Sequence, residues 1–128
     1  MRQQSMQLTV GGSSIVNTSM ASSFTTDPQN LFSAYAYSIQ IVWSGGTSPV
    51  GAFVLQGSDD PAESNIVLRD NAPVNWTNIT SSSQNISGTP GSILYDVTEC
   101  SYRWVRVVYT AVSGSATVTS GYVNIKGV

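Results

Sequence analysis

The acidic run GSDDPAES, residues 57 to 64, holds the densest group of chemically capable side chains in this 128-residue chain. Asp59, Asp60 and Glu63 offer the hard oxygen ligands that Ca²⁺ prefers. Their spacing is not that of an EF-hand, and a polar loop whose aspartates accept from turn amides is the simpler account. Asp96 and Glu99 are a second acidic pair, and glycoside hydrolysis needs two carboxylates facing each other across a cleft. These two fall on a strand end and a loop, where chance composition explains them better. The chain has no histidine, which removes the usual general base and the usual serine or cysteine triads. Cys100 has no nearby basic partner except Arg103 and reads as a small buried hydrophobe. A serine–lysine pair would have to use Lys126, next to the chain end. The expectation is a non-enzymatic chain with no catalytic set, metal or cofactor.

Trp43, Trp76 and Trp104, with Tyr35, Tyr37, Tyr95, Tyr102, Tyr109 and Tyr122, could build a sugar-stacking platform. Most of them sit on apolar strand faces, so core packing is the better account. Sequons occur at Asn17, Asn75, Asn78 and Asn85. In a chain this rich in Ser and Thr, chance supplies several. Charged residues make up 9% of the chain, well under the usual level of about a quarter. Such a weakly charged surface suits lasting contact with another protein, because few ions need desolvating. The cations Arg2, Arg69, Arg103, Arg106 and Lys126 form no run, which argues against nucleic-acid binding. No basic amphipathic helix or transmembrane-length stretch suggests a membrane. The start, MRQQSMQLTVGG, lacks the apolar core of a signal peptide, so cytoplasmic synthesis is expected.

The elements that must position these residues are strands. In AYAYSIQIVW, Tyr35, Tyr37, Ile39, Ile41 and Trp43 share one face, the period of a half-buried strand. SGGTSPVG interrupts the pattern, and AFVLQGS resumes it with Phe53 and Leu55 together. Ile66–Leu68 reads as a brief strand, WTNITSS as another, and SILYDV places Ile93, Tyr95 and Val97 on one side. The closing segment reads as a hairpin joining Tyr102–Thr110 to Thr117–Lys126 through a tight Ser-Gly-Ser turn. Its inward face is either Val105, Val107 and Tyr109, or Trp104, Arg106 and Val108. A strand apolar on both faces suggests a sheet on one side and a neighbour on the other, with Arg106 needing a carboxylate. PQNLFSAY, which Asp27 could cap as a short helical turn, reads more simply as a loop entering a strand. Together these predict an all-β chain, a single antiparallel β-sandwich of about eight strands, jelly-roll-like. Residues 1–25 are expected to be an N-terminal arm with short strands, used in assembly, and residues 26–128 the sandwich domain. On that basis, deleting Met1–Ser13 should spare the fold and weaken assembly.

Three segments, YSIQIVWSGGTSPVGAFVLQGSDD, VNWTNITSSS and YDVTECSYRWVRVVYTAVSGSATVTSGYVNIKG, occur in an order that resembles small β-sandwich structural proteins of tailed bacteriophage particles. The resemblance covers about residues 35 to 127. It implies a virion location after synthesis in the host cytoplasm, most simply as a capsid decoration or cement protein. The partners implied are the major capsid protein or other virion proteins, and a homo-oligomer such as a trimer. A tail or fibre component, or a carbohydrate-binding module recognising a host glycan, is the alternative. Candidate assembly residues are Arg2, Met6, Leu8, Arg106, Tyr109 and Tyr122.

Overall fold

The computed structural model describes residues 2–32, 34–60, 73–88 and 91–127. Glu63, Arg69, Asp70 and the strand expected at Ile66–Leu68 lie outside these residues. The chain forms β1 (Arg2–Gln7), β2 (Thr9–Val10), β3 (Ser13–Ser14), β4 (Phe24–Thr25) and β5 (Gln29–Asn30). There follow β6 (Ala34–Ser58), β7 (Thr77–Asn78), β8 (Gln84–Ser87), β9 (Ser92–Val97) and β10 (Trp104–Gly127). All pairings are antiparallel, and no helix forms among the described residues.

The expected closing hairpin does not exist. Trp104–Gly127 is one strand, and it pairs with β6 from Trp104 opposite Ser58 to Gly127 opposite Ala34. Ser113–Ser115 and the SGGTSPVG break face each other across this long ribbon, with Thr47 opposite Ser115. Register shifts between Ala111 and Ser113, Ser113 and Ser115, and Ser115 and Thr117 bend the ribbon there. Glycine in a strand marks such a corner as readily as a turn. Gly46 (φ 74°) and Gly114 (φ 71°) are both left-handed. A Cβ on Gly114 would run into the backbone oxygens of Thr47 and Ser48, and one on Gly46 into the backbone of Ser115.

The bend folds the sheet onto itself, and the two halves face each other as a sandwich. One half contributes Phe53, Leu55, Val105, Val107 and Tyr109 to the core. The other contributes Tyr37, Ile39, Ile41, Trp43, Val118 and Val123. Trp43 stacks on Phe53 with centroids 5.5 Å apart, and Phe53 lies 4.6 Å from the Tyr109 ring. At the end away from the corner, the Tyr37 and Tyr102 hydroxyls share a 2.5 Å hydrogen bond. Stacked and tilted aromatic pairs of this kind add to plain area burial. The outer edge of β6 carries β7, β8 and β9.

The first thirty or so residues are not an arm. They line most of the outer edge of β10. Arg2–Gln7 pairs with Gly127–Tyr122, Ser19 bridges Thr117, β4 pairs at Val108–Tyr109 and β5 at Trp104–Val105. Leu8, Ile15 and Met20 are fully buried in the common core. The polar look of the segment misleads because an edge strand of a sandwich needs only a few inward apolar side chains.

The segment is pinned by Asp27. Its carboxylate accepts from the Thr9 hydroxyl (2.7 Å) and from the amides of Gly11 (3.0 Å) and Gly12 (2.8 Å). Those glycines, at φ 60° and 84°, form the two-residue turn between β2 and β3, where both central residues must be left-handed. Partial burial alone would raise the Asp27 pKa, but the Thr9, Gly12 and Gly11 hydrogen bonds outweigh it and hold the group below its ordinary value. A depressed folded pKa means a stabilisation present above the unfolded value of about 3.9 and lost as pH falls through the folded value. Urea midpoints should therefore drop on acidification below about pH 4. Asp27→Asn should flatten that part of the pH profile, and an unchanged profile would show that the clamp contributes nothing.

Candidate interaction face

The register decides which face of β10 is inward. Val105, Val107 and Tyr109 are fully buried, so Trp104, Arg106 and Val108 point outward. They are half-buried nonetheless, and so are Val54 and Gln56 beside them on β6. Arg106 lies opposite Gln56, and Gln56 lies opposite Asn78 of β7. This row forms a chain of contacts. The Arg106 Nε–H donates to Gln56 Oε1 (2.7 Å), and Gln56 Nε2 donates to Asn78 Oδ1 (2.9 Å). The guanidinium carbon sits 4.2 Å above the centre of the Trp76 ring, within the range of a cation–π contact. Trp76 is itself tied by its indole N–H to the Pro73 carbonyl (3.1 Å). Partial burial lowers the Arg106 pKa, as expected for a cation partly withdrawn from water. Among the described residues no carboxylate forms an ion pair with it. Within the chain, Gln56 and Trp76 are the contacts that hold the Arg106 side chain.

The acidic loop beside this face is occupied by its own backbone. Asp60 accepts from the amides of Val74 (2.6 Å) and Asn75 (2.9 Å) and from Asn75 Nδ2 (3.0 Å). The Asn75 amide, its side chain and the Val74 amide hold the Asp60 pKa below its ordinary value. Asp59 accepts from the Arg103 amide (3.2 Å). Both aspartates thus satisfy loop amides, and Glu63 is outside the described residues. The Trp104 indole N–H donates to the Asp60 carbonyl (3.2 Å), so this loop also fixes a tryptophan of the face.

The six candidate assembly residues do not form one surface. Leu8 and Tyr109 are fully buried, Tyr109 against Phe24 and Phe53, and neither can meet a partner. Met6 is half-buried and packs against the core. Arg2 pairs with Gly127 through its backbone. Tyr122, 46% exposed, points outward from the other half of the sandwich, opposite Gln7 and Gln40. Only Arg106 belongs to the face described above. Trp43, Tyr37, Tyr95 and Tyr109 are core residues, as core packing predicts. Cys100 is half-buried with its thiol pKa pushed up by burial, as suits a small hydrophobe. Gln56 and Trp76 are the partners of Arg106 that sequence reasoning missed; alternation places Gln56 outward, but nothing local links Trp76 to Arg106. No family model, curated protein or solved structure matches this chain.

Proposed function

We propose that this chain is a non-enzymatic structural protein that docks onto another protein through the outer face of its Trp104–Val108 half, as a decoration or cement component of a phage shell. The observation that carries this reading is the composition of that face. The Arg106 guanidinium lies against Trp76, and Trp104, Val108 and Val54 share its outward, half-buried face. Aromatic residues and arginine are what interface centres are enriched in, and other charges are what they lack. The sequence resemblance to phage sandwich proteins and the 9% charged content point the same way. Its mechanism is adhesive: many symmetry-related copies bridge neighbouring shell subunits and gain by avidity.

A glycan-binding module is the second reading. A groove of about 290 Å³ on the other half of the sandwich is lined by Tyr35, Asp96, Asn124 and Lys126. That mixture of an aromatic ring with donors and acceptors suits a polyol. Counting this chain against the major shell protein by quantitative mass spectrometry of purified particles separates the readings. A copy number comparable with the shell protein is expected. A far smaller number means a tail or fibre component, and complete absence removes the particle reading in favour of the groove and a glycan array.

A further inference from the structure

The Arg106 side chain is held in an unusual way for a surface arginine. Its guanidinium carbon sits 4.2 Å from the centre of the Trp76 ring and its Nε is spent on Gln56. Gln56 is in turn held by Asn78. Neither terminal nitrogen donates a hydrogen bond within the described structure. Two Nη groups are therefore presented as a fixed fork, on a face whose neighbours Trp104, Val108 and Val54 are apolar and half-buried. A planar guanidinium pinned in this manner matches a carboxylate in bidentate geometry, and most of its rotamer entropy is already lost. The charge balance of the face points to one occupant. It carries a partly desolvated cation and lacks an ion-pairing anion among the described residues, so complementarity requires the anion from outside.

We propose that Arg106 is the anchor of the docking face and receives an aspartate or glutamate carboxylate from the partner protein. This rests on the docking reading and adds the chemistry of the partner: an exposed acidic side chain in an apolar surround. Gln56 and Trp76 act as positioning residues that orient the fork. A lysine in place of Arg106 would keep the charge and lose both the fork and the planar stack.

The test has two arms on the full chain. In the first, the Arg106 Nε–H and Trp76 indole N–H resonances are followed by NMR during titration with sodium acetate, against sodium chloride at equal ionic strength. Saturable, acetate-specific shifts at these two groups are expected, and in Arg106→Lys the apparent affinity read at the Trp76 indole N–H should fall at least tenfold. Equal responses to acetate and chloride, or equal responses in the Lys variant, overturn the proposal. So does a response seen only after Glu63→Gln and Asp70→Asn, because the carboxylate would then come from this chain. In the second arm, the chain is rebound to particles stripped of it. Arg106→Gln, with near-UV circular dichroism as the folding control, should bind at least about thirty-fold more weakly. Wild-type binding with no loss in the variant overturns the anchor and leaves the docking reading standing. No wild-type binding removes the docking reading and the partner with it, while the acetate titration still decides whether the receptor exists.

Discussion

Gly114→Ala should destabilise the fold by about 2–5 kcal/mol, seen as a lower urea midpoint at unchanged slope. Two terms contribute. The residue is left-handed at φ 71°, which costs an L-residue about 1–2 kcal/mol. The new Cβ would also overlap the carbonyl oxygens of Thr47 and Ser48 on the facing strand. Those are backbone atoms at the corner where both long strands bend, so relief requires moving the ribbon, at about 1–3 kcal/mol more. Gly45→Ala separates the terms. Gly45 is equally left-handed at φ 74°, but a Cβ there meets nothing within 4 Å, so only about 1–2 kcal/mol is expected. Equal losses at the two glycines would mean that the strands do not approach at the corner as described.

Deleting Met1–Ser13 should abolish the cooperative unfolding transition, the reverse of what the polar, glycine-broken sequence suggests. The deletion removes the β1 ladder against Tyr122–Gly127. It also removes Leu8, whose side chain is fully buried. Emptying a leucine site alone costs about 2–5 kcal/mol. Thr9, Gly11 and Gly12 go too, leaving the Asp27 carboxylate without its three donors. Total stabilities of single domains are about 5–15 kcal/mol, so the sum approaches the whole. A broad thermal transition with lost near-UV circular dichroism is the expected readout. Gln4→Lys, at an exposed position on the same strand, should change stability by no more than about 0.5 kcal/mol. A truncated chain that melts as sharply as the full one would restore the arm.

The site was half legible. Both faces of residues 104–110 carry large side chains, and the outward set is half-buried within the chain itself. The alternation could not say which face was inward, because Val105–Val107–Tyr109 and Trp104–Arg106–Val108 both read as buried sets. Contacts remote in sequence decided it. Val107 lies opposite Leu55 and its amide donates to the Thr26 hydroxyl (2.9 Å), while Tyr109 lies opposite Phe53. The Arg106–Trp76 stack has the same origin: it exists because Gln56 pairs with both Arg106 and Asn78. The sequence suggests Leu8 and Tyr109, both fully buried, as contact residues for the related reason that one large apolar residue looks alike at a core and at an interface.

By itself, the sequence determined the secondary-structure class and the inward sets of several strands. The period of two in Tyr37–Trp43, Phe53–Leu55 and Ile93–Val97 is a local property of extended backbone, and it survives folding unchanged. The buried residues Tyr37, Ile39, Ile41, Trp43, Phe53, Leu55, Ile93 and Tyr95 follow it. Only the tertiary structure decided that Ser-Gly-Ser is a corner of one strand instead of a hairpin turn, that the first thirty residues edge the sheet, and which cation stands on the outer face. Left-handed glycine serves a turn and a corner equally well. The choice between them is made by register, and register depends on which distant strand supplies the complementary side chains.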